Sequence, residues 1–335
     1  MPGDSIFESD AFSLKSLTAS INEVEYAPRR LGEMGVFDAQ GITTTQVVIE
    51  KDGDKLALVE NKPRGGVGQV VAGSKRTGVP FMTAHLPTRA TILADEVQGV
   101  RAFGSQDSAE QLQVVINNRL AKMARRIDVT HEFHRVGAVK GQVIDANGAV
   151  LYDLFQAFGM TQTVVPMDLG TAATELQGKC LDILEAMEQG LGDLFFDGAT
   201  VLCGKNFWRK FITHKAVKTA YERWENGSRL RADGREAFPF GGLMWERYRG
   251  TVGTTKFIAD EEAYAFPMGS EELFLSRFAP GDYGDTVNTL GLPFYSSSER
   301  LPHGKGVELE AQSNPAHLNT RPKASIKLVS GATVP

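Results

Sequence analysis

Two histidines and a glutamate stand close together in His131-Glu132-Phe133-His134, which resembles the zinc-binding motif of metalloproteases. That motif places its histidines four residues apart, so that both imidazoles leave one helix face towards the same metal ion. Here they are three residues apart, and no third ligand is evident. We therefore expect no metal site and interpret the pair as a helix end, where imidazoles interact with the terminal carbonyl groups.

Two glycine-rich segments could bind phosphate, but neither has the required spacing. Gly198–Asn206 has five residues between its glycines where a P-loop has four, and Asn206 replaces the Ser or Thr that would reach magnesium. Gly66-Val67-Gly68 lacks the third glycine of a dinucleotide fingerprint and lies in a basic segment. We expect no cofactor at either segment.

Nucleophilic catalysis is not indicated either. The sequence contains no G-x-S-x-G elbow, and its remaining histidines have no acidic partner nearby in sequence. Cys180 and Cys203 form no C-x-x-C pair. We expect no catalytic residue, although distant residues could still converge in the fold; the scattered histidines are His85, His214, His303 and His317.

The composition is that of a globular protein, with 42% hydrophobic and 23% charged residues. Its net charge of -5 disfavours a protein that wraps nucleic acid through phosphate neutralisation. No apolar run is long enough to span a membrane, and residues 1–12 lack the features of a secretory signal. We expect a protein that stays in the cytoplasm where it is made.

The elements that must position these residues begin with a β-hairpin. Gln46–Glu50 and Leu56–Val59 flank Asp52-Gly53, a strong hairpin signal. Lys62–Arg89 follows, with five basic residues, no acidic ones and five glycines. It has too little apolar mass for a core of its own, so it is a mobile loop or a loop that folds against something else.

The strongest helix prediction is Ser108–Arg135. Either Asp107 with Glu110 or Ser108 with Gln111 offers an N-capping arrangement. Apolar residues recur on one face at spacings of three and four, namely Leu112, Ile116, Leu120, Met123 and Ile127. Such a helix would be roughly 42 Å long, which suggests a structural spine.

The rest of the chain mixes helices and strands without a βαβ rhythm, which predicts an α+β fold. Asn147-Gly148 predicts a second hairpin, and helices are expected at Thr171–Gln189 and Asn206–Trp224. A last strand is expected at Ala324–Val329.

Charge is banded in the second half of the chain. Asp168–Asp197 carries a net charge of -6, Lys205–Lys256 of +7 and Phe257–Asp285 of -6. The bands are either solvated helix faces with internal ion pairs, or complementary edges between copies in a ring.

Five pieces of sequence, in this order, resemble the lambda major head protein family of tailed-phage capsid proteins, which has the Hong Kong ninety-seven fold. They are Tyr26–Gly32, Pro63–Gly65, Ala94–Gly104, Ala138–Gly141 with Asp145, and Asn314-Pro315 with Arg321–Lys323. The family has no catalytic residues to transfer.

The resemblance implies four parts of the chain. Residues 1–35 would form an N-terminal arm, and residues 36–100 an extended loop with the hairpin. Residues 101–165 and 306–335 would form a peripheral domain with the spine helix at 108–135, and residues 166–305 an axial domain.

The resemblance also implies pentamers and hexamers that form an icosahedral shell in the host bacterial cytoplasm, enclosing double-stranded DNA that the subunit contacts weakly. The expected partners are further copies of the chain, a separate scaffolding protein and a portal; whether a decoration protein binds is left open. We expect no membrane partner. Contacts between subunits are expected at Arg64, Gly65, Gly66, Lys75, Arg76, Arg101 and Arg321.

Two alternatives remain from the sequence. One is a cellular nanocompartment shell of the same fold, which would enclose an enzyme instead of DNA. The other is a soluble α+β enzyme whose histidines and aspartates converge in space.

Overall fold

The computed structural model describes residues 30–52, 76–97, 108–222, 237–270 and 272–332 of the chain. These residues form an α+β fold, as expected. The helices are α1 (Arg30–Glu33), α2 (Ala94–Val97), α3 (Ser108–Lys140), α4 (Leu154–Phe158), α5 (Leu176–Leu191), α6 (Lys205–Thr213) and α7 (Lys215–Glu222). The strands are β1 (Asp38–Gly41), β2 (Gln46–Asp52), β3 (Arg76–Met82), β4 (Leu86–Leu93), β5 (Gln142–Ile144), β6 (Val150–Asp153), β7 (Val164–Pro166), β8 (Gly198–Cys203), β9 (Phe238–Phe240), β10 (Leu243–Arg247), β11 (Thr251–Val252), β12 (Thr255–Lys256), β13 (Glu262–Met268), β14 (Phe274–Phe278), β15 (Tyr295–Arg300), β16 (Gly306–Ser313), β17 (Pro315–Asn319) and β18 (Ile326–Val329).

The long helix α3 has 33 residues and is therefore about 50 Å long. Its apolar face packs on a three-stranded antiparallel sheet with the order β15-β16-β4. The helix contributes Ile116, Leu120, Met123 and Ile127, and the sheet contributes Ile92, Val307, Leu309 and Ala311. These side chains form a core separate from the one in the second half of the chain, which confirms that α3 is a structural spine.

Helix α3 continues five residues beyond the predicted end at Arg135, to Lys140. Gly137 lies inside it because the following hairpin packs close by: a Cβ at this position would lie 2.9 Å from the carbonyl oxygen of Gln142. The helix stops at Gly141, whose φ of 85° lies in the left-handed region that favours glycine.

A six-stranded mixed sheet with the order β7-β18-β13-β8-β10-β9 forms the larger core. Helix α5 packs on β7, β18 and β13, and helix α6 packs on β10. The Phe211 ring of α6 stacks on Trp245 of β10 with ring centroids 4.0 Å apart. Aromatic stacking of this kind adds to the free energy gained by burying both rings.

Helices α6 and α7 replace the single helix predicted at Asn206–Trp224. The break occurs at His214, whose backbone is extended. Its Nδ1 accepts a hydrogen bond from the Ala216 N–H, and its Nε2 lies 3.0 Å from the carbonyl oxygen of Thr171. A histidine that caps the second helix therefore interrupts an otherwise continuous pattern.

The first predicted strand, β2, has a partner that the sequence did not predict. Strand β2 pairs with β3, from Gln46 opposite Met82 to Asp52 opposite Arg76. The predicted partner, Leu56–Val59, lies outside the described residues. The end of Lys62–Arg89 is also strand and not loop, because Phe81 is buried against Leu154 and Phe158 of the same subunit. The second hairpin, β5 with β6, forms around Asn147-Gly148 as predicted.

Several strands lie in other sheets than the predicted domain limits imply. Strand β4 falls in the predicted extended loop, 36–100, yet pairs with β16. Strand β15 falls in the predicted axial part, 166–305, yet pairs with β16 on the spine helix. Strand β18 falls in the predicted peripheral segment 306–335, yet lies between β7 and β13 in the six-stranded sheet. Sheet membership depends on contacts between residues far apart in sequence, which local patterns do not encode.

None of the helices within the described ranges is long and apolar enough to cross a membrane.

Two glycines in α5 provide a test of its packing. Adding a Cβ at Gly190 would place it 2.6 Å from the backbone of Lys323 and Ala324, whereas a Cβ at Gly178 meets nothing within 4 Å. We expect Gly190→Ala to lower the free energy of unfolding by about 1–3 kcal/mol, because the helix must move away from this segment. Gly178→Ala should raise it by up to about 1 kcal/mol, because alanine favours the helix.

Urea unfolding of the unassembled subunit measures both changes. Equal effects of the two substitutions would show that close approach at Gly190 is not what holds α5 in place.

Candidate functional site

A buried glutamate holds the short helix α1 against the long helix α3. The backbone N–H of Leu31 donates a hydrogen bond of 3.0 Å to Oε1 of Glu132, and the Tyr248 hydroxyl donates one of 3.0 Å to the same oxygen. Glu132 is only 1% exposed, and a carboxylate so buried depends on such donors. One side chain therefore joins α1, α3 and the residue that follows β10.

An ion pair adds a second connection at the same junction. The guanidinium of Arg30 lies 2.6 Å from Oε2 of Glu246 in β10. Because Arg30 is 41% exposed, the pair contributes little to stability and mainly fixes the orientation of α1. Helix α1 is thus attached both to the spine helix and to the six-stranded sheet.

The motif that resembled a zinc site forms part of a buried histidine cluster instead. His131 Nδ1 lies 3.2 Å from Nε2 of His317 in β17, and His317 Nδ1 lies 2.7 Å from Oγ of Ser276 in β14. His134 packs beside them, with ring centroids 6.4 Å from His317. The pair is not at a helix end, as we had interpreted it, because α3 continues to Lys140.

The cluster is neutral at pH 7. Burial lowers the pKa of His131 and His317 well below the ordinary value of 6.5, and the nearby positive charge of Arg135 lowers both further. Burial also lowers the pKa of His134 to about 4. Neither ring nitrogen of His134 has a hydrogen-bond partner among the described residues.

The Ser276 and His317 pair has the geometry of a nucleophile beside a base, but it is closed to substrates. Both residues are 0% exposed, and His131 is 2% exposed. A reacting group would need to lie about 3 Å from the serine oxygen, and in the folded subunit that space is occupied by the protein core. No group of three or more potential metal ligands occurs in the part of the chain that the structure describes.

The segment that resembled a P-loop also contains no phosphate cradle. The backbone N–H groups of Asn206 and Phe207, at the start of α6, both donate to the carbonyl oxygen of Asp260, at 3.0 and 2.8 Å. These amides would have to face an anion in a phosphate site. A Cβ at Gly204 would lie 2.0 Å from the carbonyl oxygen of Ala259, so the protein itself fills the turn.

Of the residues predicted to contact other subunits, only Arg76 and Arg321 lie in the described part of the chain. The Arg321 side chain is 42% exposed and lies 3.1 Å from the carboxylate of Asp193 in the same chain. Arg76 begins β3, paired with Asp52. The other predicted contacts, Arg64, Gly65, Gly66, Lys75 and Arg101, lie outside the described residues.

Arg321 also lies on a groove of about 790 Å³ that the sequence did not predict. Its floor includes the apolar side chains of Phe158 and Leu275. Its charged lining consists of Asp38, Glu50, Glu272, Arg277 and Arg321. An open groove of mixed charge, lined by strands β1, β2 and β14, the end of α4 and adjacent loops, is suited to contact with a protein segment and contains no obvious catalytic arrangement.

The junction residues Leu31, Glu132 and Tyr248 were missed by the sequence reasoning, but a signal for the histidines was present. The apolar stripe of α3 steps from Met123 to Ile127, and the same steps lead to His131 and His134. Positions on this stripe are buried, so the stripe predicts core histidines. No comparable signal connects Glu132 with Leu31, because their contact spans 101 residues.

Comparison with known proteins shows which family the chain resembles. The family model described as phage major capsid protein E matches residues 13–330. The major capsid protein of Pseudomonas phage KPP10 is 28% identical over 88% of this chain and 90% of its own length. The major capsid protein of Salmonella phage Felix O1 is 24% identical over 97% of this chain and 98% of its own.

The mature capsid of bacteriophage PhiM1 has the same fold, with a TM-score of 0.52 and 11% sequence identity. The likeness covers 89% of this chain and 86% of that one. The fold is therefore the Hong Kong ninety-seven capsid fold, as the sequence predicted. Because the family model matches residues 13–330, nearly the whole chain, the chain belongs to the phage major capsid protein E family, the major capsid proteins of tailed phages.

Proposed function

We propose that this capsid protein assembles as pentamers and hexamers into an icosahedral shell that encloses double-stranded DNA. The observation that supports this best is that phage major capsid proteins match the chain over almost their entire lengths. Closed symmetric assemblies are the usual outcome when identical subunits associate. Assembly takes place in the cytoplasm of the host bacterium.

We further propose that the shell protein is not an enzyme. Among the described residues, the arrangement that resembles a nucleophile and a base, Ser276 with His317, is buried in the core. Its histidines are neutral at pH 7 and contact each other and neighbouring aromatic rings, as core side chains do. A soluble enzyme, the alternative from the sequence, would need these groups to face a cavity.

The roles of the parts of the subunit follow the predicted division of the chain, except that β4, β15 and β18 belong to other sheets than that division implies. Residues 1–35 serve as an arm, and residues 36–100 as a loop that reaches a neighbour. The peripheral domain consists of α3 and the sheet that includes β15, and the axial domain of the six-stranded sheet that includes β18. Helix α1 supports the first assignment, since it ties the root of the arm to both domains.

The partners proposed from the resemblance are a separate scaffolding protein and a portal, besides further copies of the chain. Contacts between copies involve the residues predicted above: Arg64, Gly65, Gly66, Lys75, Arg76, Arg101 and Arg321. Packaged DNA is contacted weakly and without sequence preference, because the subunit has a net charge of -5. A nanocompartment shell is the weaker alternative, because the relatives found by sequence are phage proteins.

The connection between β2 and β3 provides a test of assembly. Asp52 and Arg76 are paired, so the ends of this connection are adjacent and a shorter connection can close them without strain. We expect excision of Arg64–Ala72 to leave the subunit folded but to abolish shell formation, because residues that contact a neighbour are lost. Circular dichroism and electron microscopy of the same preparations measure the two effects.

A matched control replaces these nine residues with glycine and serine, which keeps the length but removes the side chains. It should also fold and fail to assemble. Normal shells from the excised variant would show that the segment is a passive insertion, and an unfolded variant would show that it belongs to the subunit core.

The histidine cluster predicts that acid destabilises the subunit. Each histidine has a lower pKa in the folded subunit than in the unfolded chain, so below pH about 6.5 the unfolded chain binds more protons. Stability is therefore complete above this pH and falls as the pH decreases towards the folded-state pKa, which is about 4 for His134. The slope is up to about 1.4 kcal/mol per pH unit for each histidine.

Urea unfolding of His134→Leu between pH 7 and pH 4.5 should show a shallower dependence on pH than the unsubstituted subunit. The control is His303→Asn at an exposed position with a φ of 63°, which asparagine tolerates. If His134→Leu and His303→Asn show the same slope, the buried histidine is not the group that titrates.

A further inference from the structure

Helix α5 presents an acidic face to solvent. Asp182, Glu185 and Glu188 follow one another at intervals of three and are all exposed. Residues spaced in this way lie on the same side of a helix. None of the three carboxylates makes a hydrogen bond or an ion pair with another described residue. They repel one another, and no ion pair with another described residue compensates for that repulsion.

Apolar side chains accompany this acidic face. Leu181, next to Asp182, is 51% exposed, and Phe195, shortly after the helix ends, is 78% exposed. An exposed phenylalanine costs free energy in water unless another surface covers it. Apolar groups surrounded by charges are typical of protein interfaces, which have an apolar centre and a polar rim.

Helices α6 and α7 present the opposite charge. Residues 205–220 contain five basic residues and no acidic ones. Of these, Lys210 pairs with Glu261 at 2.7 Å, while the exposed side chains of Lys205, Arg209, Lys215 and Lys218 make no such pair with the described residues. Lys215 and Lys218 also line a groove of about 480 Å³.

Both faces are held rigidly by the same core. Helix α5 buries Cys180, Ile183, Met187 and Leu191. Helix α6 buries Phe207, Trp208 and Phe211, and α7 buries Val217. Since these residues lie at helical spacing, they fix which side of each helix faces solvent. The two charged faces therefore keep their positions whether or not a partner is present.

We infer that the acidic face of α5 in one subunit packs on the basic face of α6 and α7 in the next copy of the chain around the same ring. This contact rests on the proposed assembly and specifies the surfaces that it uses. The two faces belong to different helices of one chain, so in this arrangement each copy uses one face for one neighbour and the other face for the second neighbour. Repetition of such a head-to-tail contact closes a ring when the rotation between copies allows it.

A second copy explains the observations better than nucleic acid does. DNA phosphates could neutralise the basic face, but they would leave the acidic face and the exposed Phe195 without a partner. Another copy of the chain satisfies both faces at once. Complementary charge also suppresses wrong pairings, because two acidic or two basic faces repel each other.

Charge reversal with compensation tests the contact. We expect Glu185→Lys with Glu188→Lys to reduce the fraction of protein in shells by about ten-fold or more, because like charges then face each other at every copy of the contact. Lys215→Glu with Lys218→Glu should do the same. A chain that carries all four reversals has two complementary faces again and should recover shell formation.

Two controls separate charge from folding. Lys215→Arg with Lys218→Arg keeps the charges and should assemble normally, and circular dichroism should show native secondary structure in every variant. Sedimentation and electron microscopy measure the shells, and raising the salt concentration should weaken assembly of the unsubstituted chain, because exposed charges are screened.

The possible failures are distinguishable. If either reversed pair assembles normally, or the fourfold variant does not recover, the contact between these faces is wrong while the proposed shell stands. If the variant with the reversed basic face forms normal shells that retain less DNA, that face binds nucleic acid and the proposed contact is again wrong. If the unsubstituted chain forms no shells, the proposed function fails and the contact with it.

Discussion

The apolar stripe of helix α3 is the constraint on which the rest of the subunit depends. A helix of 33 residues exposes far more apolar surface than its neighbours in sequence can cover, so segments from distant parts of the chain must pack on it. Strands β4 and β16 cover its first half, and β17 with its histidine covers the second. Helix α1 is fixed to it through Glu132. The topology of the subunit therefore brings distant segments of the chain together on the apolar face of α3.

The histidines show how this constraint is met where the side chains are polar. At His131 and His134 the stripe continues, so both imidazoles are buried and must remain uncharged. His317 offers a ring nitrogen to His131, and Ser276 offers a hydroxyl to His317. Partners on β14 and β17 thus satisfy some of the polar atoms, and this gives the helix a unique register on the sheet that apolar contacts alone would not impose.

The elements determined by local pattern could be predicted from the sequence, and the elements determined by distant contacts could not. The α3 helix and the hairpin at Asn147-Gly148 follow from periodicity and turn chemistry, and both formed as predicted. The sheets that contain β15 and β18 depend on partners far away in the chain. The contact of Leu31 with Glu132 is of the same kind, since it connects residues 101 positions apart. The charge bands could be identified from the sequence. Which of these charges face solvent becomes clear only from the structure, because it shows which side of each helix is buried.

The position of β18 has a consequence for the order of events during synthesis. It is the last of the six strands of its sheet in chain order, yet it lies between β7 and β13 and pairs with both. Until Ile326–Val329 has emerged from the ribosome, β7 has no place in the sheet and the core under α5 is incomplete. A growing chain therefore cannot complete the six-stranded sheet until this strand has been translated. The last strand to be synthesised is an inner strand of its sheet, so formation of this core depends on residues 326–329.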